Sequence, residues 1–109
     1  MNGYSLKMYF QELRKHDDVL LYEWLLHTAK EIGIHGGSIF RGIAGFGRHG
    51  VIHEEHFFEL ASDVPMEAVF IGAEKEIQAF LDKVKEEGVQ LFYTKEPLEF
   101  GFIDGDIKD

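Results

Sequence analysis

Residues 38–50 read Ser-Ile-Phe-Arg-Gly-Ile-Ala-Gly-Phe-Gly-Arg-His-Gly, and this stretch decides how the chain can fold. Its first half alternates like a β-strand, with Ile39 and Arg41 facing one side and Phe40 the other. Its second half carries a glycine at every second or third position, where the backbone can adopt positive φ and approach a ligand closely. The stretch therefore predicts a strand over about 37–46 that ends in a loop whose N–H groups can surround an anion.

The residues before this stretch predict a strand and then a helix. Apolar residues alternate with more polar ones over 6–10, the pattern of a strand with one buried face. Apolar residues then recur at helical spacing, which predicts a first helix over about 19–32. Asp17 and Asp18 precede this helix, where an N-cap and a first-turn acid are expected. Gly33 follows it and is expected to end it in a left-handed conformation.

The residues after the stretch predict two more strands and a second helix. A continuous apolar run within 66–71 indicates a central strand that is covered on both faces. An i, i+3, i+4, i+7 pattern of apolar residues predicts a helix of about 14 residues that ends at Gly88. A fourth strand is expected over 89–93, and Pro97 separates it from a strand-like extension over 98–102.

The order β-α-β-β-α-β in one domain of residues 1–109 predicts an α+β fold of the ferredoxin-like type. Such a fold is a four-stranded antiparallel sheet with two helices on one face. Strand two then lies at an edge of the sheet, and we expect a neighbouring subunit to cover it, because a long exposed apolar edge strand promotes aggregation. A long loop over about 47–65 and an acidic tail over about 104–109 complete the chain.

Charge and composition narrow the possible partners. The formal net charge is -9, which opposes binding to nucleic acid and to anionic membrane surfaces. The chain has no cysteine and no apolar run long enough to span a bilayer, so we expect a cytoplasmic protein with no membrane insertion. No Asp or Glu occurs between Glu31 and Glu54, so an anion is tolerated in that window despite the overall charge.

The motif Arg41-Gly42-Ile43-Ala44-Gly45-Phe46-Gly47, between a β-α unit and a loop that contains histidines, resembles the PII-like proteins that are catalogued as a domain of unknown function. The residues 60–65, Leu-Ala-Ser-Asp-Val-Pro, and the second helix with Ile-Gln-Ala-Phe-Leu at 77–81 are similar to the same family. The resemblance covers about residues 6–93. The seven-residue motif in this context is specific, whereas its glycine spacing alone is weak evidence.

The resemblance implies a homotrimer related to the PII nitrogen regulators and the CutA proteins, with an adenine nucleotide (ATP, ADP or AMP) in the clefts between subunits. Carried over to this chain, the expected nucleotide-binding residues are Arg41, Gly42, Gly45, Phe46, Gly47 and Arg48. The loop that follows them would report the ligand to a regulated protein or transporter through a population shift. The acidic tail would repel phosphates or help to hold a divalent cation that bridges them.

Other interpretations of these residues stay open. The glycines are also compatible with a β-bulge, and Arg41 is equally compatible with an ion pair to a carboxylate of a neighbouring subunit. His49, His53 and His56 have spacings that would cluster on a helix, so a CutA-like protein that binds a divalent metal is the alternative function. A purely structural oligomerisation module is a third. No catalytic triad, isolated carboxylate pair or Walker-type motif is present, so we expect no enzyme.

Overall fold

The computed structural model describes residues 1–46, 52–54 and 64–105, with the backbone alone for 52–54. Eight strands and two helices lie within these residues. The strands are β1 (Asn2–Gln11), β2 (Lys15–His16), β3 (Val19–Leu20), β4 (Gly36–Arg41), β5 (Ala44–Phe46), β6 (Ile52–Glu54), β7 (Pro65–Gly72) and β8 (Phe92–Glu99). The helices are α1 (Leu21–Ile32) and α2 (Glu74–Glu86).

The main sheet has four strands in the order β4-β7-β1-β8, and every neighbouring pair is antiparallel. This arrangement confirms the predicted α+β fold, with strand two at an edge and the apolar strand β7 in the interior. Two short hairpins lie beside the sheet, one formed by β2 and β3 and the other by β5 and β6. Among the described residues, β4 and β8 are therefore the two edge strands of this sheet.

One hydrophobic core lies between the sheet and the two helices. Alternate residues of β1 and β7 point into it, and the intervening residues are only partly buried, so both helices cover the same face of the sheet. The rings of Phe70 and Phe80 meet edge to face at 4.9 Å across this boundary. The core residues are Leu6, Met8, Phe10, Leu21, Leu25, Ala29, Val64, Met66, Ala68, Phe70, Ile77, Phe80 and Val84.

The start of the first helix differs from the prediction. α1 begins at Leu21 after an N-cap at Leu20 that has no side-chain capping bond, and Asp17 and Asp18 do not cap it. Both aspartates instead have positive φ, 52° and 66°, in the turn of the β2–β3 hairpin. Asp tolerates the left-handed region because its short polar side chain can bond locally, so a hairpin turn competes for the same residues that favour an N-cap. The predicted helix ends are confirmed, because Gly33 has φ 102° and Gly88 has φ 76°.

The last strand is continuous where the sequence predicts a break. β8 begins at Phe92, not at residue 89, and it runs through Pro97, which pairs with Tyr4. Proline cannot donate to a strand neighbour, but it is tolerated on an edge strand, and β8 is an edge. Beyond the strand, Phe100 exchanges two backbone hydrogen bonds with Met1, and the described residues of the tail are then irregular.

The predicted second strand is divided in two. β4 ends at Arg41, the chain leaves the sheet at Gly42, and β5 pairs with β6 instead of β7. The predicted loop over 47–65 therefore contains a short strand, 52–54, and its last residue already belongs to β7. The rest of that loop, apart from Val64, and the end of the acidic tail lie outside the described residues. Within the described part of the chain, no helix combines the length and apolar character needed to cross a bilayer.

Candidate functional site

Gly42 is where the edge strand leaves the sheet, and close packing explains why the residue is glycine. Its N–H donates to the carbonyl oxygen of Pro65 at 2.7 Å. A Cβ on Gly42 would lie 3.1 Å from Cγ of Pro65 and 3.2 Å from its carbonyl oxygen, closer than ordinary contact. Since this N–H is already bonded within the chain, an anion beside the segment would have to use other donors. The inclusion of Gly42 among the nucleotide-binding residues stays a prediction.

Arg41 pairs with a carboxylate of its own chain. Its guanidinium Nη2 donates to Oε1 of Glu12 at 2.8 Å, although the Arg41 side chain is 65% exposed. Glu12 is held beside the strand because its backbone N–H donates to the carbonyl of Val64. Of the two partners considered for Arg41, this structure contains the carboxylate, and it comes from the same chain and not from a neighbouring subunit. A phosphate would therefore compete with Glu12 for the guanidinium.

The surface along the edge strand β4 and the β5 segment that follows it is apolar and exposed. Phe40, Ile43 and Phe46 all present large side chains to solvent, and Phe46 is 74% exposed. Ile39 is different, because it packs against the core and pairs with Ala68. Phe40 therefore lies on the face of β4 that is suited to an interface, whereas Ile39 packs against the core and stabilises the fold.

The predicted histidine cluster is described only in part. His53 lies in β6, where its backbone pairs with Gly45. The spacing of the three histidines predicts clustering if they lie on a helix, whereas the described residue His53 lies in a strand. His49 and His56 lie outside the described residues, as do Gly47 and Arg48, and the metal and nucleotide roles of these residues stay predictions.

A groove of about 550 Å³ runs between α2 and β8, on the helix-covered face of the sheet. Partly buried apolar side chains, Leu81, Val89 and Leu91, form part of its wall. Lys85 and Lys95 add two ammonium groups to the lining. No sequence pattern indicates this groove, because the two lysines belong to a helix and a strand that only the folded structure brings together.

The groove lies at the opposite edge of the sheet from Arg41; it begins at the same end of the sheet and extends along β8 to Lys95, which pairs with Leu6. Arg41 pairs with Met66, which pairs on its other side with Phe10 of β1. Tyr9, next to Phe10 in β1, pairs with Phe92, and the residue before Phe92, Leu91, lines the groove. Three strand spacings separate the two edges, or about 14 Å. One chain therefore presents two half-sites that cannot close on each other.

Comparison with known proteins shows relatives over most of the chain. A family model named DUF190, described as uncharacterized ACR, matches residues 3–99. The chain is 34% identical over 80 residues to a UPF0166 protein from Aquifex aeolicus, covering 73% of this chain and 76% of that protein. It is 32% identical over 81 residues to a UPF0166 protein from Methanocaldococcus jannaschii, covering 74% of each.

Solved structures share the fold. The chain superimposes with a TM-score of 0.68 on CPII, a nitrogen regulatory PII-like protein from Thiomonas intermedia K12 whose structure contains ADP, AMP and bicarbonate. The match covers 94% of this chain and 91% of that one at 16% sequence identity. At this level of identity the likeness establishes the architecture alone.

Proposed function

The chain belongs to the DUF190 family, and we propose that it is a PII-like trimeric regulator that binds an adenine nucleotide in the clefts between its subunits. The observation that carries this proposal is the division of the candidate site between the two edges of one sheet. Arg41 lies at one edge, and the groove begins at the same end of the other edge. The bound ADP and AMP of the structurally similar CPII support the choice of ligand.

A ring of subunits would bring the two half-sites together. Edges β4 and β8 differ, so contact between them is heterologous, and a heterologous contact closes into a ring when the rotation is right. Both edges expose large apolar side chains, Phe40 and Phe46 at one and Phe92 at the other, as expected of surfaces that a second chain covers. A rotation about an axis along the strands keeps Arg41 of one subunit at the level of the groove of the next.

The chemistry of the two half-sites suits the two parts of a nucleotide. The apolar wall of the groove offers a surface for a flat base, and Lys85 offers charge to phosphates. Lys95 lies farther along the groove, with its Nζ 4.4 Å from the centroid of the Tyr4 ring. Arg41 of the neighbouring subunit would add a planar guanidinium, which binds phosphate oxygens in pairs. These cations matter because the chain as a whole is strongly acidic and would otherwise repel the ligand.

The segment over about 47–65 would report the ligand. It follows Phe46 and ends at Pro65, and the hydrogen bond from Gly42 to Pro65 joins the residues before the segment to its end, beside Arg41. A ligand at Arg41 would therefore act on both ends at once and shift the population of conformations that a regulated protein or transporter reads. In this proposal the chain is a sensor and not an enzyme.

Mixing of subunits tests the divided site directly. We expect the wild type to be a trimer by light scattering and to bind ADP in calorimetry, and Arg41→Ala and Lys85→Ala each to weaken that binding. When the two variants are unfolded together and refolded in equal amounts, about one quarter of the clefts in randomly assembled trimers regain both residues. ADP binding should then return to that fraction of the sites.

The matched control is Lys75→Ala, which removes an exposed lysine at the start of α2, near the other end of the sheet. This variant should bind ADP like the wild type. If the mixture of Arg41→Ala and Lys85→Ala binds no better than either variant alone, the site is not shared between subunits. A monomer in solution would refute the trimer, and the absence of heat with ATP, ADP and AMP would refute the nucleotide.

Trypsin tests the reporter, since Arg48 lies in the reporting segment. Saturating ADP should change the rate of cleavage after Arg48, whereas the same addition to Arg41→Ala should not. An identical rate with and without ADP in the wild type, at a concentration that calorimetry shows to be saturating, would contradict this part of the proposal.

A further inference from the structure

Three side chains with metal-binding atoms meet where the β2–β3 hairpin contacts the end of α2. Nε2 of His16 lies 3.1 Å from Oε1 of Glu87 and 3.5 Å from Oδ2 of Asp17. All three atoms lie within 4.8 Å of one another. The group joins segments 71 residues apart in the chain, and none of its members belongs to the nucleotide-binding residues proposed above.

These separations fit a common metal ion. Bonds of about 2.0–2.2 Å from Zn²⁺ to imidazole nitrogen and carboxylate oxygen, at tetrahedral angles, place neighbouring ligand atoms about 3.3–3.6 Å apart. The two contacts of His16 lie within a few tenths of an ångström of that range. The two carboxylate oxygens lie within 4.8 Å of each other, and the Asp17 side chain, which is 78% exposed, can adjust its position without disturbing the core.

The surroundings hold two of the three ligands in position. The His16 ring packs edge to face against Trp24, with ring centroids 4.6 Å apart, and its side chain is only 15% exposed. Glu87 accepts from His16 through one carboxylate oxygen, while Nζ of Lys83 lies 3.5 Å from the other. A partner on the second oxygen is the usual way in which proteins orient a carboxylate that binds metal through its first.

We propose that His16, Asp17 and Glu87 form a binding site for a divalent transition metal such as Zn²⁺. One imidazole and two carboxylates favour this class of ion over Mg²⁺, which prefers an all-oxygen octahedral set and keeps its waters. The ligands bring two negative charges to the ion, and the remaining coordination positions are open to water. A bound ion would fasten the hairpin to α2 directly before Gly88, which lines the groove.

Trp24 makes the proposal directly testable, since it is the only tryptophan of the chain and touches the ring of His16. The experiment uses the full chain in a His49→Ala/His53→Ala/His56→Ala background, so that the predicted histidine cluster cannot supply a second site. After treatment with a chelator, Zn²⁺ should change the tryptophan emission in a saturable titration with one ion per chain. Co²⁺ should quench the same emission.

Two substitutions in that background decide the outcome. His16→Gln should lower the Zn²⁺ affinity at least about tenfold. Removing a residue that only hydrogen-bonds to a metal ligand already costs about that much, and His16 is itself a ligand in this proposal. His27→Gln, at an exposed position of α1, is the matched control and should leave the affinity unchanged. If His16→Gln disturbs folding, as judged by circular dichroism, Asp17→Asn at the exposed ligand replaces it and should also weaken binding.

An unaltered Zn²⁺ titration in Asp17→Asn and His16→Gln would overturn the proposal, and so would a lack of any Zn²⁺ response in the parent protein at millimolar concentration. The result does not depend on the nucleotide. ADP binding in the presence of chelator tests the proposed function separately, so the failure of one proposal can be distinguished from the failure of the other.

Discussion

Replacement of Glu12 by glutamine should strengthen nucleotide binding while hardly changing stability. The carboxylate of Glu12 holds the guanidinium of Arg41 at 2.8 Å, in a pair whose arginine is largely exposed. Exposed ion pairs of this kind contribute about 0.2–1 kcal/mol. Glu12→Gln should therefore lower the free energy of unfolding by no more than that amount, which denaturant titration measures.

In Glu12→Gln, a phosphate that binds Arg41 no longer has to displace the Glu12 carboxylate, so the free energy of ADP binding becomes more favourable by the same amount. Converted at about 1.4 kcal/mol per tenfold change, it corresponds to ADP binding that is about 1.4 to 5 times tighter in Glu12→Gln. Arg41→Ala should have the opposite and larger effect, because a hydrogen bond to a charged group contributes about 1.5–3 kcal/mol, equivalent to about 10- to 100-fold weaker binding. Calorimetry with ADP measures both changes.

A control separates local competition from the general charge of the protein. Glu31→Gln removes one negative charge from an exposed position at the end of α1. This position lies near the start of β4, whereas Arg41 is the last residue of that strand. Its effect on ADP binding should be small, because exposed charges farther apart than the Debye length of about 8 Å are screened in physiological salt. Equal tightening in Glu12→Gln and Glu31→Gln would show that the pair with Arg41 is irrelevant. Unchanged binding in Arg41→Ala would refute the phosphate role itself.

Three further expectations concern packing and titration. Gly42→Ala should lower the free energy of unfolding by about 1–2 kcal/mol in a denaturant titration, because the added methyl group would contact Pro65 too closely. Gly45→Ala is the control: its methyl group would have an ordinary nearest contact of 3.9 Å, so the free energy of unfolding should change by less than about 0.5 kcal/mol. Phe80→Ala should lower it by about 3–5 kcal/mol in the same assay, since the ring is fully buried; a smaller loss would mean that the core collapses around the cavity. Burial first, and then the hydrogen bond to Glu67, raises the pKa of the Tyr9 hydroxyl above its usual value. The folded state therefore binds this proton more tightly than the unfolded state does. The resulting contribution to the free energy of unfolding is present below about pH 10 and is lost as the pH rises through the pKa of the folded state. The difference in alkaline ultraviolet titration between wild type and Tyr9→Phe should show this shift, and Glu67→Gln should reduce it.

The sequence was sufficient where the signal is local. The alternation over 6–10 and the helical period of α2 come from neighbouring residues that share a face, so they predict the buried side of each element directly. The apolar run within 66–71 placed its strand in the interior for the same reason. The predicted break at Pro97 is wrong, because β8 runs through this residue. Whether a strand tolerates proline depends on the position of the strand in the sheet, which the local sequence does not show.

The arrangement of the candidate site was beyond sequence reasoning. Arg41 and Glu12 are separated by 29 residues, and His16 and Glu87 by 71, so no spacing rule connects either pair. The groove likewise needs α2 and β8 to be side by side. Asp17 shows a different difficulty, since a turn and a helix cap favour the same residue type and only the neighbouring hairpin decides between them.

The central position of β1 has a consequence for how the protein is made. Of the described strands, β1 is synthesised first, yet both of its sheet neighbours, β7 and β8, are synthesised only after residue 64. Among the described residues that precede β7, α1 is the only helix available to cover the apolar face of β1. Pairings between segments so far apart in the chain form late, because a long loop must close first. Newly made N-terminal fragments should therefore be the form of this protein that most needs a chaperone.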